Sequence, residues 1–181
     1  MIRIVGGFYK HRLIDQPPME ITRCTKDVAK EGLFNSLGNI EGKSFLDLFS
    51  GSGAIGIEAY SRGARPVVLN DNNREAKRTI MRNLLSLGIF DVTVYGLKDV
   101  DCLIEINRNK AITFDYVFLD PPYVIKLTNA YINGMRDLKI IDENSVIIIE
   151  SDEPLEINDF SDYNIKVLKY GKSLMNLLRR K

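Results

Sequence analysis

The chain has 181 residues, 45% of them hydrophobic, with 25 basic against 24 acidic side chains. That length and apolar content suit one domain of ordinary size and argue against wholesale disorder, while a formal net charge of +1 decides nothing as a total. No apolar run approaches a membrane span and Met1–Gly7 lacks the apolar core of a signal peptide, so a cytoplasmic protein with no membrane attachment is expected.

Along the chain, the first forty residues differ from the rest. Arg3-Ile4-Val5 and His11-Arg12-Leu13-Ile14 flank Gly6-Gly7, a hairpin signal, and Pro17-Pro18 then breaks the pattern. Thr25 or Asp27 can cap a helix with Val28, Leu33, Phe34 and Leu37 on one side and Gly38 at its end. Residues 1–43 therefore read as a hairpin and helix extension ahead of the region 44–181. From Ser44 onward strand and helix patterns alternate. Strands are expected at Ser44–Leu48, Pro66–Leu69, Val92–Tyr95, Tyr116–Leu119 and Val146–Ile149. Helices are expected at Ala54–Arg62, Arg74–Leu87, near Val100–Ile106 and near Leu127–Leu138. Such alternation predicts a parallel sheet covered on both faces, an α/β fold, and Ile165–Tyr170 with Leu174–Leu178 add a closing antiparallel hairpin around Gly171-Lys172.

Charge is unevenly spread. Residues 1–12 carry Arg3, Lys10 and Arg12 with no acid, and residues 163–181 carry six cations with no acid, whereas residues 142–162 hold eight acids. If the two basic ends meet, they form a phosphate-binding face; taken singly, each cluster is ordinary solvated surface. Cys24 and Cys102 lie far apart without metal-ligand spacing, and His11, the single histidine, cannot complete a zinc site with them. No metal is expected, and both thiols read as reduced and structural.

Two segments carry chemistry. Asp47-Leu48-Phe49-Ser50-Gly51-Ser52-Gly53-Ala54-Ile55-Gly56 joins the first sheet strand to its helix, with glycines where the backbone must turn sharply and admit a ligand. Gly51-x-Gly53-x-x-Gly56, with Asp71 twenty residues after Gly51, also satisfies the dinucleotide fingerprint, so a nicotinamide enzyme is one reading. The other is S-adenosylmethionine, because Asp47 would crowd a pyrophosphate yet attract an amino-acid ammonium. Asp71 can accept both ribose hydroxyls or cap the following helix. The adenine contact falls to Asp99, to Lys98 or to backbone within Gly96-Leu97-Lys98-Asp99, with Asp99 ranked first.

The second segment is Asp120-Pro121-Pro122-Tyr123, placed where the buried strand Tyr116–Leu119 runs out, which is where open α/β sheets hold their chemistry. Two prolines fix φ, supply no N–H and leave carbonyls able to accept hydrogen bonds, with a carboxylate before them and an aromatic face after. That arrangement suits a flat base bearing an amino group, and it tips the reading of the glycine loop toward the methyl donor. A purely structural turn is the alternative, but an acid ending an apolar strand calls for a partner.

In these segments and in its N-terminal stretch, the chain resembles the bacterial small-subunit (16S) ribosomal RNA guanine-N2 methyltransferases. The resemblance rests on Arg3-Ile4-Val5-Gly6-Gly7, Thr22-Arg23, Asp27, Glu31, Leu33-Phe34-Asn35, the glycine loop, Glu58-Ala59, Ser61-Arg62-Gly63-Ala64, the Asp120 tetrad and Tyr170-Gly171-Lys172-Ser173. It implies a Rossmann-like class I S-adenosylmethionine-dependent methyltransferase fold, with a mostly parallel seven-stranded sheet. It also implies donor contacts at Asp47, Phe49, Ser50, Gly51, Gly53, Asp71, Asn72 and Asp99, catalysis by Asp120, Pro121, Pro122 and Tyr123, and RNA contacts at Arg3, Lys10, Arg12 and Arg23 in the extension. The implied partner is ribosomal RNA; the small recognition surface points to an assembling or assembled small subunit as its setting, and a monomer is expected. The chain departs from the family pattern at Cys24 (proline), Lys30 (arginine), Gly32 (alanine or serine) and Asp71 (glutamate). Lys30 keeps the charge but loses the planar fork. A DNA amino-methyltransferase acting on adenine N6 or cytosine N4 could use the same tetrad, although 181 residues leave no room for a separate target-recognition domain. A protein-glutamine methyltransferase would show asparagine at position 120, and a non-catalytic RNA-binding assembly factor would not need Asp47, Asp71 and Asp120 together.

Overall fold

The computed structural model describes residues 1–18, 27–110, 112–122 and 127–181. Its elements run β1 (Ile2–Arg3), β2 (Leu13–Ile14), α1 (Asp27–Leu37), β3 (Phe45–Asp47), α2 (Ala54–Ser61), β4 (Val67–Asn70), α3 (Arg74–Leu87), β5 (Thr93–Tyr95), α4 (Asp99–Lys110), β6 (Tyr116–Leu119), α5 (Asn129–Asp137), β7 (Val146–Ser151), a 3-10 turn (Ile157–Phe160), β8 (Tyr163–Tyr170) and β9 (Ser173–Arg180). Helix α3 matches its predicted span. Asn73 caps it by accepting the N–H groups of Glu75 and Ala76 at 2.8 and 3.1 Å, and Gly88, at φ 71°, closes it.

Seven strands form one sheet in the order β5-β4-β3-β6-β7-β9-β8, parallel from β5 to β7 and antiparallel at β9 and β8. The fold is that of the Rossmann-like class I methyltransferases. The closing hairpin does not simply extend the sheet, because β9 inserts between β7 and β8. Alternating side chains of the short apolar strands enter two cores, which explains why these strands read as continuous apolar runs. Phe45, Leu69, Phe118, Ile148 and Leu177 meet α1, α2 and α3, while Leu46, Val68, Val117, Ile147 and Leu178 meet α4 and α5. From β3 the chain winds through β4 to β5, then crosses to β6 on the other side of β3, so the topological switch point, where open α/β sheets bind ligands, falls at the carboxyl ends of β3 and β6.

The N-terminal extension shares the first of these cores through Ile2, Ile4, Ile14, Leu33 and Phe34. Two local expectations change. Gly6-Gly7 is not the turn of a tight hairpin, since β1 and β2 are two residues each and residues 4–12 loop between them. The glycines instead permit close approach to the end of α2: a Cβ on Gly7, at φ 74°, would lie 1.9 Å from the Ser61 carbonyl oxygen, and one on Gly6 would lie 2.3 Å from the Arg62 guanidinium. In α1, Val28 is 68% exposed while Lys30, at 1%, joins Leu33, Phe34 and Leu37 on the buried stripe. Position 30 keeps the 3,4 spacing to 33, 34 and 37, and position 28 does not. The Lys30 ammonium donates to the Arg3 carbonyl and lies 3.4 Å from Asp27, so this cation holds the helix to β1 and does not face solvent.

Candidate active site

The two sequence segments converge because their strands are neighbours. Asp47 on β3 pairs in register with Phe118 on β6, so Asp120 emerges two residues, roughly 6–7 Å, further along the adjacent strand. Asp120 and Pro121 are half-buried and Pro122 is exposed; Tyr123 lies outside the described residues.

The glycine loop is fixed before any ligand arrives. Ser50 donates its hydroxyl to the Asp47 carbonyl at 2.7 Å and its N–H to the Asn70 carbonyl at 2.8 Å. Gly51 and Gly53 take φ 55° and 80°, and a Cβ on Gly56 would lie 2.0 Å from Leu69. Both carboxylates of the loop point into it: Asp47 Oδ2 accepts Gly56 N–H at 3.1 Å, and Asp71 Oδ2 accepts Gly51 N–H at 2.8 Å. Asp71 Oδ1 takes Asn73 N–H at 2.8 Å, but the cap of α3 is Asn73 itself. Asn72 is exposed, and Phe49 packs half-buried against the α4–α5 core.

Electrostatics separates the two ligand readings of this loop. Asp47 is fully buried, and burial pushes its pKa from 3.8 up to about 7, with the Asp71 and Glu150 charges adding to the rise. Burial also raises Asp71. Among the described residues, Asp47 Oδ1 has no hydrogen-bond partner. A pyrophosphate would add negative charge to a pair of acids already resisting ionisation, whereas a ligand with an ammonium and a sulfonium relieves them. The residues therefore fit S-adenosylmethionine and do not fit a dinucleotide.

Two buried asparagines that sequence reasoning passed over organise this end of the sheet. Asn70 donates to the Leu48 and Leu97 carbonyls at 3.0 and 3.1 Å and accepts Leu97 N–H at 3.1 Å, clamping the loop after β5 to the loop after β3. Asn83 donates to the Ser52 and Asp15 carbonyls, both at 3.0 Å, and accepts Asp15 N–H at 2.7 Å, tying the glycine loop to the extension. A polar residue ending an apolar strand and one inside the apolar stripe of α3 were the available signals. Asp99 opens α4, and its carboxylate accepts the Tyr131 hydroxyl at 2.8 Å; burial and that carboxylate raise the Tyr131 pKa.

The predicted RNA contacts do not gather here. Arg3, Lys10 and Arg12 are exposed, and Arg23 lies outside the described residues. The loop bearing Lys10 is pinned to the far end of α2, where Phe8 and Tyr9 N–H groups donate to the Ser61 carbonyl and hydroxyl at 2.7 and 2.9 Å. That is about 12 Å, the length of an eight-residue helix, from the glycine loop. The basic C-terminus also divides. The Gly171-Lys172 turn lies at the carboxyl end of the parallel strands, with Tyr170 against Gly32 of α1, while Arg179 and Arg180 end β9 at the opposite pole. Among the described residues, no group of three or more His, Cys, Asp or Glu could hold a metal ion, and no helix is long and apolar enough to cross a membrane.

Sheet order, the acid-bearing glycine loop and the acid at the end of β6 define a methyltransferase of the class I architecture. The chain belongs to the family described as "Conserved hypothetical protein 95", whose sequence model matches residues 2–179. It is 34% identical over 157 residues to Ribosomal RNA small subunit methyltransferase D of Buchnera aphidicola, covering 86% of this chain and 81% of that one. It is 32% identical over 152 residues to the protein of the same name in Escherichia coli strain K12, covering 83% and 75%. A solved structure of the Escherichia coli protein yhhF superposes with a TM-score of 0.81 at 29% identity, covering 99% and 98%.

Proposed function

We propose that this protein transfers a methyl group from S-adenosylmethionine to the exocyclic N2 amine of a guanine in small-subunit ribosomal RNA. The observation that carries the reading is the adjacency, on neighbouring strands, of the glycine loop with its two carboxylates and the Asp120-Pro121-Pro122 segment. The names of the relatives, Ribosomal RNA small subunit methyltransferase D, support ribosomal RNA as the substrate. The chemistry of the tetrad supports an amino group as the acceptor.

When bound, the donor supplies an activated methyl on a positively charged sulfur. Asp47 attracts the donor's ammonium, Asp71 accepts the ribose hydroxyls, Phe49, Ser50, Gly51, Gly53 and Asn72 line the donor, and Asp99 or the main chain before it meets adenine. A guanine amine is a poor nucleophile because its lone pair is delocalised into the ring. The Asp120 carboxylate and the Pro121 carbonyl each accept one of its N–H bonds, turning the nitrogen toward tetrahedral geometry so that its lone pair faces the methyl. Pro122 holds the turn and Tyr123 stacks on the base, which must first leave its helix or already be unpaired. After transfer the nitrogen is positively charged and acidic, and Asp120 or water takes the proton. Alignment supplies most of the acceleration, with no strong base required. Arg3, Lys10, Arg12 and Arg23 hold RNA phosphates.

The test is methyl transfer to protein-free ribosomal RNA, to small subunits from a deletion strain and to duplex DNA, with the modified base mapped by mass spectrometry. Asp120→Ala should abolish transfer while the donor still binds by calorimetry. Near-normal turnover of that variant, or methylation of DNA alone, would overturn the proposal.

A further inference from the structure

The pole opposite the candidate active site carries a side chain whose exposure needs a reason. Phe8 is 88% exposed, yet it is held on a loop tied down by several hydrogen bonds. The Phe8 and Tyr9 N–H groups donate to Ser61, the Ser61 hydroxyl donates to the Gly6 carbonyl at 2.6 Å, His11 N–H donates to the Ile4 carbonyl at 2.8 Å, and Val5 N–H donates to buried Glu58 at 2.8 Å. The ring is thus presented to water from a rigid mount. Behind it runs a row of aromatic contacts: Tyr9 meets Phe8 edge-on with centroids 5.0 Å apart and lies 6.3 Å from Tyr60, over whose face Arg65 sits at 3.2 Å. At the end of the row Tyr60 donates to Asp91 at 2.5 Å, next to Phe90, itself 80% exposed.

The charges around this row favour an anion. Lys10 and Arg12 are exposed on the same loop, Arg12 donating to the Ser86 carbonyl at 3.3 Å, and no acid occurs in residues 1–14; of the acids around the end of α2, Glu58 is engaged by Arg62 and Asp91 by Tyr60 and Arg65, while Glu41 packs on Gly63. An exposed aromatic face flanked by cations matches the way single-stranded nucleic acid is held, with bases stacked and phosphates neutralised.

We propose that Phe8, with Lys10 and Arg12 beside it, is a docking site for an unpaired nucleotide of the RNA substrate, remote from the reacting base. This rests on the ribosomal RNA reading above and deepens it: the enzyme grips RNA at both poles of the sheet. A contact about 12 Å from the chemistry contributes binding without entering the transition state, so its loss acts on KM for RNA.

The test uses the full chain and two labelled RNAs of equal length, a single strand of mixed sequence and a duplex, with binding followed by anisotropy across a salt series. Phe8→Ala should weaken single-strand binding about tenfold, Phe8→Trp should restore it, and duplex binding should not move. Lys10→Gln should flatten the salt dependence, which Phe8→Ala leaves unchanged. Wild-type affinity in Phe8→Ala, or equal loss on both RNAs, overturns the proposal. So does a Phe8→Ala defect confined to assembled subunits, which would point to a ribosomal protein as the occupant. If the wild-type protein binds neither RNA yet methylates small subunits, this docking site fails while the functional reading stands; if it methylates no RNA in any form, the functional reading fails as well.

Discussion

Asparagine in place of Asp47 should remove a pH dependence of stability that the buried carboxylate imposes on the donor-free protein. Asp47 is fully buried with one oxygen on Gly56 N–H, and burial, reinforced by Asp71 and Glu150, pushes its pKa from 3.8 to about 7. Because the folded value lies above the unfolded one, the native protein holds a proton that the unfolded chain has lost at any pH between the two. Stability therefore falls as pH rises from about 4 and stops falling above about 7. At ~1.36 kcal/mol for each pH unit, the whole window is worth on the order of 4 kcal/mol, of which roughly 2–3 kcal/mol falls between pH 5 and 7. Urea denaturation of wild type and Asp47→Asn at half-unit steps from pH 5 to 8.5 reads this directly, since Asp71 and every other titrating group stays in both proteins. Wild type should lose that amount relative to the variant up to pH 7 and run parallel to it above. Curves that stay parallel from pH 5 to 7 would refute the assignment. S-adenosylhomocysteine, which carries the same ammonium as the donor, should in turn bind wild type more tightly as pH rises through 7, and Asp47→Asn should lack that rise.

Asn70→Leu keeps the branched shape but strips partners from the Leu48 and Leu97 carbonyls and Leu97 N–H; at about 1–3 kcal/mol for a buried group left unpaired, donor affinity by calorimetry should fall at least about tenfold. Asn83→Leu should lower the melting temperature and weaken RNA and donor binding together, because the amide serves both Asp15 and Ser52; an effect on the donor alone would show that the extension is positioned without it. Gly7→Ala should destabilise by more than about 1 kcal/mol in denaturant, because φ is 74° and the new methyl meets the Ser61 carbonyl. Replacing Lys30 by methionine should leave the salt dependence of RNA binding unchanged, since its ammonium is spent on the Arg3 carbonyl.

The alternation of strand and helix was legible because its signals are local. The span Arg74–Leu87 was read correctly although its cap is Asn73 and not Asp71, and Tyr116–Leu119 has the length and apolar content of a buried strand. Position in the sheet was less legible. Nothing within Ser173–Arg180 states that β9 pairs with β7 as well as β8, since that depends on the β7 edge it finds. Val28 and Lys30 were misjudged because residue type outweighed spacing, although the helix follows spacing and buries the lysine stem. The site divides the same way: Asp47, Asp71 and Asp120 show themselves as acids closing apolar runs, whereas Asn70 and Asn83 gain their meaning from partners up to 68 residues away.

The glycine fingerprint alone could not choose between two ligands, because Gly51, Gly53 and Gly56 serve the turn and the helix packing whichever molecule binds. Gly56, for example, is required by Leu69, not by a phosphate. The choice lies in the two carboxylates that receive the loop's N–H groups. In a phosphate loop those N–H groups point outward to the anion; here Gly51 N–H is spent on Asp71 and Gly56 N–H on Asp47. The protein has placed its own anions where a diphosphate would bind and left one of them, Asp47, fully buried with its pKa pushed up to about 7. A cationic ligand is the species that such a pocket stabilises most, and it ionises Asp47 as it binds. Donor binding below pH 7 should accordingly release a proton, measurable as a dependence of the calorimetric enthalpy on the buffer's own ionisation enthalpy. Binding with no proton release at pH 6 would mean that Asp47 is already charged in the free protein, and the preference of this loop for a cation would then need another source.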